Sequence, residues 1–205
     1  MTWLTSPAFT LFGAPTTWAE LLGFVTGAVT VWLVVVRHIA NWPLGIANVL
    51  LLMVVFWTYG LYADAALQIV YVVLGGYGWW QWLRRVPGTG RPPAVRRTTV
   101  AEWRLLAAAG AGLTLVLWLY LDRVTDSTVP FPDALTTALS LVATYGQARK
   151  LVESWWVWIA ADLVYIPLYA YKDLGLTAIL YVVFLALCVA GLRVWRAVER
   201  APVPA

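Results

Sequence analysis

An apolar stretch of this chain recurs, and the repeat limits which folds the chain can adopt. Residues 41–82 hold two long apolar segments, a short turn and an aromatic-rich end, and residues 154–195 repeat that order 113 positions later without a gap. Apolar residues often match by chance, so the matched tryptophans and the matched glycine carry more weight. The matched pairs are Trp42 with Trp155, Gly78 with Gly191, and Trp82 with Trp195. The chain is therefore predicted to contain two copies of one structural unit.

The composition places both copies in a membrane. Hydrophobic residues make up 62% of the 205 residues and charged residues only 12%, whereas a soluble domain averages about 45–50% apolar and about 25% charged. Strands of a membrane β-barrel would alternate polar and apolar residues. These apolar runs are continuous, which favours helices of about 20 residues. The sequence predicts an all-α integral membrane protein.

Seven apolar spans follow one another along the chain. Their approximate bounds are 18–36, 43–58, 63–83, 103–121, 134–148, 155–170 and 174–194. The repeat shift also carries the first span onto the fifth, so the repeated unit has three helices. Two abutting three-helix units would face opposite ways across the membrane, yet Arg37 and Lys150 lie at corresponding ends of their units. The unmatched fourth span restores the parallel orientation, and we predict a three-plus-one-plus-three parallel repeat.

The chain is expected to form a single membrane domain over residues 1–205. Within it, residues 18–83 are the first three-helix repeat and 84–102 are a cytoplasmic linker rich in Pro, Gly and Arg. Residues 103–121 are the linking helix, and residues 132–195 are the second three-helix repeat.

Loop charges predict the orientation of this domain. If the N-terminus is outside, all but two of the 14 Lys and Arg residues fall on one side, the exceptions being Arg123 and Lys172. Cytoplasmic loops of membrane proteins carry an excess of Lys and Arg. We therefore expect a multi-pass protein of the plasma (inner) membrane with its N-terminus outside and its C-terminus in the cytoplasm. The excess of Lys and Arg in these loops also accounts for the net charge of +4. The positive charge is therefore no sign of a nucleic-acid-binding surface, and we expect no nucleic-acid partner.

Polar residues at membrane depth are the first candidates for a binding site. A charge at the bilayer centre costs about 2.5–3.5 kcal/mol, and Asp162 lies near the middle of the sixth span. Such a group either bonds helices to one another or binds a solute, and the cost of the charge favours binding for Asp162. For the other polar residues both roles stay open; they are Asn48, Gln68, Tyr71, Thr144, Tyr145 and Gln147.

Aromatic residues cluster at two span ends and allow two interpretations. Residues 77–82 end the third span, and Trp155, Trp156 and Trp158 begin the sixth. An interfacial belt would account for many of the 14 tryptophans. A stacking platform for a flat, cationic or polar solute is the alternative, because an aromatic face holds a cation with about 0.5–2 kcal/mol. Since the tryptophans at 79, 80 and 82 cannot share one helix face, we expect at least one of them to face lipid.

Several segments together resemble the PnuC-type nicotinamide riboside (vitamin B3) transporters. These segments are NWP at 41–43, YGLYADAALQ at 59–68, YGWWQW at 77–82, TALSLVATYGQARKLVESWWVW at 137–158 and LYAYKDLGLTAILY at 168–181. The resemblance extends from about Trp18 to Trp195. It implies a fold related to the SWEET sugar transporters, usually a homotrimer, and facilitated diffusion of nicotinamide riboside that a cytosolic kinase then traps. Relatives in the family carry riboflavin or thiamine, so these two vitamins stay open as alternatives.

The resemblance leads to a specific expectation for the site and its mechanism. We expect the vitamin to bind near the midplane between the two units, which alternate access to it, with Pro43 and Pro167 as points of flexion. Asp162 and the indoles would suit the pyridinium cation of nicotinamide riboside, although thiamine is also a cation. One half of the site would be lined by Trp42, Asn48, Gln68 and Tyr71, and the other half by Thr144, Gln147, Trp155, Trp158, Asp162 and Tyr165.

Other functions rank below transport. The chain has no Cys/His cluster, no phosphate-binding glycine loop, no Ser/His/Asp set and no paired carboxylates. We therefore expect no cofactor, no metal site and no enzymatic activity. A membrane enzyme that modifies a lipid would need a convergent catalytic set, and only one mid-membrane carboxylate is visible. A scaffold or sensor would need neither Asp162 in the bilayer nor a duplicated core.

Overall fold

The structure is a computed structural model that describes residues 6–11, 14–58, 62–88, 90–171 and 175–201. Seven α-helices form the described chain: α1 Trp18–Val35, α2 Asn41–Thr58, α3 Tyr62–Leu83, α4 Val100–Val124, α5 Pro130–Ala148, α6 Ser154–Tyr171 and α7 Gly175–Arg200. The turn sequence of residues 59–61 between α2 and α3 lies outside the described residues. The seven predicted spans each correspond to one helix.

Three helices begin or end beyond their predicted apolar spans. Helix α4 begins at Val100 because Thr99 caps it: the Glu102 amide donates to the Thr99 hydroxyl at 3.2 Å, and the Thr99 amide donates to the Glu102 carboxylate at 3.0 Å. Helix α5 begins at Pro130, since proline is tolerated in a first turn where its missing N–H is not needed. Helix α7 continues through its basic end to Arg200. Hydropathy misses such polar helix ends.

A short β-hairpin precedes the helices and was not predicted from the sequence. Strand β1, Pro7–Leu11, pairs antiparallel with strand β2, Ala14–Thr17. The amide of Trp18 donates to the Ser6 carbonyl at 3.3 Å, so the hairpin is joined directly to the start of α1.

Six helices form a closed ring, and the seventh packs outside it. The order around the ring is α1, α2, α3, α5, α6, α7 and back to α1, while α4 packs against α5 and has no buried residue. The two contacts that join the units, α3 with α5 and α7 with α1, correspond to each other in the repeat. This is the predicted arrangement of two three-helix units, α1–α3 and α5–α7, with α4 between them in sequence.

Two of the helices are long and apolar enough by themselves to cross a membrane. Within the described ranges these are α4 and α7, and shorter apolar stretches, Leu21–Val35 and Asn41–Val54, occur in α1 and α2. Helices α1, α3, α5 and α7 end where α2, α4 and α6 begin, and most Lys and Arg residues lie there. We call this side of the bundle the basic end.

The turns that follow α1 and α5 have the same geometry. Arg37 and Lys150 adopt left-handed φ values of 59° and 53°, which are uncommon for residues other than glycine. In both turns the next amide donates to the carbonyl five residues earlier, at 2.8 Å and 2.9 Å, as in a Schellman helix end. The residue that opens the next helix, Asn41 or Ser154, donates its side chain to the carbonyl three residues earlier, at 2.7 Å in both units.

Four tryptophans fill the centre of the bundle at its basic end. Trp42 and Trp82 meet edge to face at 5.5 Å and 85°, and Trp155 and Trp195 do so at 5.4 Å and 89°. Trp82 and Trp195 meet across the units at 6.2 Å. All four are buried, and we call them the tryptophan cluster.

Matched glycines make this packing sterically possible. A Cβ atom on Gly78 would overlap the Trp42 ring, and a Cβ atom on Gly191 would overlap the Trp155 ring. The recurrence of Trp and Gly in the sequence therefore reflects one packing motif used twice.

Two equivalent hydrogen bonds cross between the units at the same level. The indole N–H of Trp82 donates to the Gln147 carbonyl at 3.1 Å, and that of Trp195 donates to the Val34 carbonyl at 3.2 Å. The two acceptors are themselves 113 positions apart. The units are thus joined by a symmetric, fully buried contact.

Candidate functional site

One face of α6 carries most of the predicted site residues. Trp155, Trp158, Asp162 and Tyr165 follow one another at intervals of three and four residues, which places them on the same side of a helix. Trp155 and Asp162 are buried and the other two are half-buried. The opposite face carries exposed residues such as Trp156 and Leu163, with 46% and 57% of their surface accessible.

This face holds buried polar atoms without a hydrogen-bonding partner. Among the described residues they include Nε1 of Trp155, Nε1 of Trp158 and Oδ2 of Asp162. A buried polar group left unpaired costs about 1–3 kcal/mol, and such groups in native proteins mark sites for a ligand or water. The N–H donor of Trp158 and the carboxylate acceptor of Asp162 lie one helical turn apart on this face and can together bind a polar solute.

Asp162 lies in the middle of α6, as predicted, and only 1% of its surface is accessible. The thiol of Cys188 on α7 lies near its carboxylate. A thiol is a weak donor, so this neighbour leaves the carboxylate largely available to a stronger partner.

Asn48 differs from Asp162 in its surroundings. Its amide donates to the Thr26 hydroxyl at 2.6 Å, and that hydroxyl donates in turn to the Leu22 carbonyl at 2.6 Å. The bond joins α2 to α1. Of the two roles that the sequence left open for Asn48, the structure therefore supports the bonding of helices.

Helix α5 contributes a second polar face. Thr136, Ser140 and Gln147 are buried and Thr144 is half-buried, with spacings of four, four and three residues. Thr144 donates to the Ser140 carbonyl at 2.7 Å. Thr144 and Gln147 were predicted site residues. Thr136 and Ser140 were missed, although the four-residue spacing of hydroxyl residues in the sequence was a signal for them.

Tyrosines from three helices meet beyond Asp162, away from the basic end. Tyr165 lies 5.5 Å from Tyr169 and 4.4 Å from Tyr181, and Tyr169 lies 5.1 Å from Tyr181. Tyr71 of α3 lies near Tyr165 and Ser140. We call Tyr71, Tyr165, Tyr169 and Tyr181 the tyrosine cluster. The predicted residues Tyr71 and Tyr165 are thus brought together across the two units.

The remaining predicted residues lie apart from this cluster. Trp42 and Trp155 belong to the tryptophan cluster at the basic end, where packing occupies both indoles, although the N–H of each has no partner among the described residues. Gln68 is buried on α3, one turn from Tyr71. Gln147 offers its backbone carbonyl to Trp82.

The two units differ most at these polar faces. In the first unit the matching positions of α1 and α2 carry glycine or aliphatic side chains. Gly45, Val49 and Leu52 stand for Trp158, Asp162 and Tyr165, and Gly23, Gly27 and Val31 stand for Thr136, Ser140 and Thr144. The repeat therefore supplies the scaffold, and the second unit supplies most of the polar chemistry.

An aromatic and basic network connects α3 to α5 at the basic end. Tyr77 stacks on Tyr145 with ring centroids 5.9 Å apart and planes 2° from parallel. Gln81 donates to the Tyr77 hydroxyl at 2.6 Å, and Arg149 donates to the Tyr145 hydroxyl at 3.3 Å. Trp80 packs beside Tyr77 with ring centroids 6.1 Å apart. Trp79 and Trp80 are 38% and 57% accessible while Trp82 is buried, so the three indoles do not share one helix face, as predicted.

The linker before α4 is held against the second unit by charged groups. Arg96 donates to both Glu102 carboxylate oxygens, at 2.8 Å and 2.6 Å, and this hydrogen bonding lowers the pKa of Glu102 to about 2. Lys150 donates to the Pro93 carbonyl at 3.0 Å and lies 4.7 Å from the centre of the Trp82 ring. Burial lowers the pKa of Lys150 to about 8, with a smaller contribution from Arg37.

Known proteins are similar in sequence to this chain over almost its whole length. The sequence pattern of the family described as "Nicotinamide mononucleotide transporter" matches residues 17–197. The riboflavin/roseoflavin transporter RibM of Streptomyces davaonensis is 34% identical over 95% of this chain and 92% of its own. The nicotinamide riboside transporter PnuC of Escherichia coli is 24% identical over 89% of this chain and 87% of its own.

A solved structure has the same fold. The crystal structure of the vitamin B3 transporter PnuC superposes with a TM-score of 0.72 at 27% identity, and the match covers 89% of this chain and 82% of that one. The family match, the relatives and the solved structure agree over nearly the whole chain. The resemblance to PnuC-type transporters is therefore confirmed, and the chain belongs to the nicotinamide mononucleotide transporter family as an integral membrane protein with seven transmembrane helices.

Proposed function

We propose that this protein imports nicotinamide riboside across the plasma membrane by facilitated diffusion. The observation that carries the proposal is Asp162, a carboxylate that is almost completely buried at the middle of α6 and has one oxygen unpaired among the described residues. The pyridinium ring of nicotinamide riboside is a permanent cation, and a fixed carboxylate at membrane depth is its natural partner. Trp158 lies one turn away on the same face, and an indole face also attracts a flat cation.

The remaining site residues complete the binding surface. Tyr71, Tyr165, Thr144 and Gln147 supply hydroxyl and amide groups from the two units. Trp42 and Trp155 close the basic end below them, and Gln68 lies one turn from Tyr71. Asn48 acts in the site only if its bond to Thr26 breaks during transport.

Transport in this proposal is an alternation between two arrangements of the units. The symmetric contact of the tryptophan cluster joins the units at the basic end, so opening toward that end must separate Trp82 from Trp195 and break the two bonds between the units. Pro167 lies inside α6, where it removes a helical hydrogen bond and allows bending. The protein acts as a carrier and leaves its cargo chemically unchanged.

Riboflavin is the second candidate cargo, because RibM is 34% identical to this chain over 95% of it. A neutral flavin gives no cation for Asp162, which is why nicotinamide riboside ranks first. Thiamine is a cation, and no specific observation favours it.

Uptake by proteoliposomes tests the cargo. Labelled nicotinamide riboside should enter without an ion gradient until the inside and outside concentrations are equal, and unlabelled nicotinamide riboside should compete better than riboflavin or thiamine. Riboflavin uptake that excess nicotinamide riboside does not inhibit would assign the protein to flavin instead. Accumulation above the outside concentration only when an ion gradient is imposed would refute facilitated diffusion.

The proposed assembly is a homotrimer in the lipid bilayer. Helix α4 buries none of its residues within the described chain. A groove of about 530 Å³ between α4 and α5 is lined almost entirely by apolar side chains such as Trp103, Trp118 and Phe131. Such a surface suits a second copy of the chain. Native mass spectrometry from mild detergent should show three copies, and a species of one copy only would contradict the trimer.

A further inference from the structure

Three aromatic rings lie in a row where α3 meets α5 at the basic end. Tyr77 lies between Trp80 of its own helix, with ring centroids 6.1 Å apart, and Tyr145 of α5, with ring centroids 5.9 Å apart. Trp80 is exposed, and both tyrosines are half-buried. Since α3 belongs to the first unit and α5 to the second, the row crosses one of the two contacts between the units.

Two arginines border this row, and each directly follows its helix. Arg84 follows α3 and Arg149 follows α5. The Arg84 guanidinium lies over the Trp80 ring, 5.3 Å from its centroid. Arg149 donates to the Tyr145 hydroxyl at 3.3 Å and also lies near Tyr77. We call these residues the seam site: Tyr77, Trp80, Arg84, Tyr145 and Arg149.

A single amide group connects the two arginines through Tyr77. Gln81 accepts a hydrogen bond from Arg84 at 3.0 Å and donates to the Tyr77 hydroxyl at 2.6 Å. Arg149 lies near the same tyrosine. The two guanidinium groups are therefore close enough to flank one small anion.

The positive charges of the seam site are poorly neutralised. Among the described residues Arg84 forms no ion pair, and its partner in the hydrogen bond is the neutral amide of Gln81. Arg149 approaches a Glu102 carboxylate oxygen only at 3.9 Å, and Arg96 already binds both oxygens of that carboxylate. A guanidinium has five N–H donors, so most donors of both arginines remain available. Arg84 is exposed, and the side chain of Arg149 is 37% accessible.

Trp80 belongs to the face of α3 that points away from the bundle. Exposed apolar residues continue this face along the helix: Ile69, Val73 and Leu83. Tryptophans at the ends of membrane helices are enriched at the level of the lipid headgroups. Arginines that directly follow α3 and α5 then lie beside the phosphates of the same leaflet. Guanidinium groups match phosphate with two parallel N–H···O bonds.

We infer that the seam site binds the phosphate of an anionic phospholipid in the leaflet at the basic end. The two guanidinium groups would flank the phosphate, and Trp80 would pack against the glycerol and the first carbons of the acyl chains. The unneutralised positive charge favours an anionic lipid over a zwitterionic one, because anionic lipids attract Lys and Arg near the membrane surface. One lipid would thus contact both units. The inference holds for whichever vitamin the protein carries.

Lipid titration followed by native mass spectrometry tests the seam site. The dissociation constant of the first phosphatidylglycerol adduct would be measured on the purified protein in mild detergent. Arg84→Ala and Arg149→Ala should each raise this constant by about fivefold. Arg104→Ala removes the same charge from an exposed position on α4 near the same end, and this matched control should leave the constant unchanged. Phosphatidylcholine should bind the wild type more weakly and should not distinguish the variants.

Several results would overturn the inference, provided that thermal unfolding shows each variant to be folded. An equal loss for Arg104→Ala would mean that the lipid is attracted by the whole basic end and that no specific site exists. Displacement of phosphatidylglycerol by millimolar glycerol phosphate would make a soluble phosphate compound the ligand. A wild type that binds lipid only after its oligomer dissociates would assign this surface to the contact between protomers. Each of these results leaves the proposed cargo untouched.

Discussion

At the scale of single residues, each copy of the repeat packs a tryptophan ring against a glycine, whose lack of a Cβ atom leaves room for the ring. Trp42 packs where Gly78 has no Cβ, and Trp155 packs where Gly191 has none. Because interiors are packed as densely as organic crystals, a methyl group in either place must displace an indole. Gly76 lies two residues before Gly78 on the same helix, and a methyl group added there would meet no atom of the described residues within 4 Å. Gly76 is therefore free of this constraint.

Gly78→Ala should destabilise the protein and Gly76→Ala should not. Overpacking of this kind costs about 1–3 kcal/mol, whereas alanine in an exposed helical position gains about 0.5–1 kcal/mol over glycine. Thermal unfolding in detergent should therefore give a lower midpoint for Gly78→Ala and an unchanged or higher midpoint for Gly76→Ala. Equal midpoints for the two variants would show that Trp42 does not depend on the space at Gly78.

At the scale of helices, hydropathy predicted the number of spans, and the resemblance to PnuC-type transporters led to the four residues that share the inner face of α6. The ends of α4 and α5 were not predictable from hydropathy, because Thr99 and Pro130 set them through backbone hydrogen bonding. Ser140 was overlooked because serine occurs in apolar helices for many reasons. Only the fold shows that Ser140 faces Tyr165 on another helix.

The start of α4 should depend on pH through Glu102. Hydrogen bonding to Arg96 and, second, to the backbone amide of Thr99 lowers the pKa of Glu102 from 4.5 to about 2. These bonds therefore stabilise the fold above pH 4.5, and this stabilisation is lost as the pH falls toward 2. Glu102→Gln keeps a side chain that can still cap the helix but removes the charge. As the pH is lowered from 4.5 to 2, the thermal unfolding midpoint of the wild type should decrease relative to that of this variant. A difference between the two midpoints that stays constant over this range would contradict the role of the ion pair.

At the scale of the whole molecule, the two similar three-helix units differ in the polar side chains that they contribute to the candidate site. The matched tryptophans were already visible in the repeat, and in the fold they build a symmetric contact at the basic end. Asp162, Thr136, Ser140 and Thr144 have only glycine and valine counterparts in the first unit. From the sequence, Asp162 was predicted as a site residue, whereas Thr136 and Ser140 were not. The sequence also could not show that Asn48 bonds to Thr26 or that Tyr71 approaches Tyr165, because both contacts depend on how helices pack.

The basic end should face the cytoplasm. Lys and Arg are concentrated there, and the positive-inside rule then places the C-terminus inside and the N-terminus outside. A fluorescent reporter fused after Ala205 should be active in the cytoplasm, while alkaline phosphatase fused at the same position should be inactive. Active phosphatase there would reverse the proposed orientation and, with it, the assignment of the tryptophan cluster to the cytoplasmic side.

The charge on Asp162 is the central claim, and initial uptake rates of nicotinamide riboside into proteoliposomes test it most directly. Asp162→Asn preserves the shape of the side chain and removes its charge. Since a hydrogen bond to a charged group contributes about 1.5–3 kcal/mol, we predict a loss of roughly 10- to 100-fold in uptake at low substrate concentration, with unchanged folding by thermal unfolding. A folded Asp162→Asn protein that transports nicotinamide riboside at the wild-type rate would contradict the proposed role of the charge.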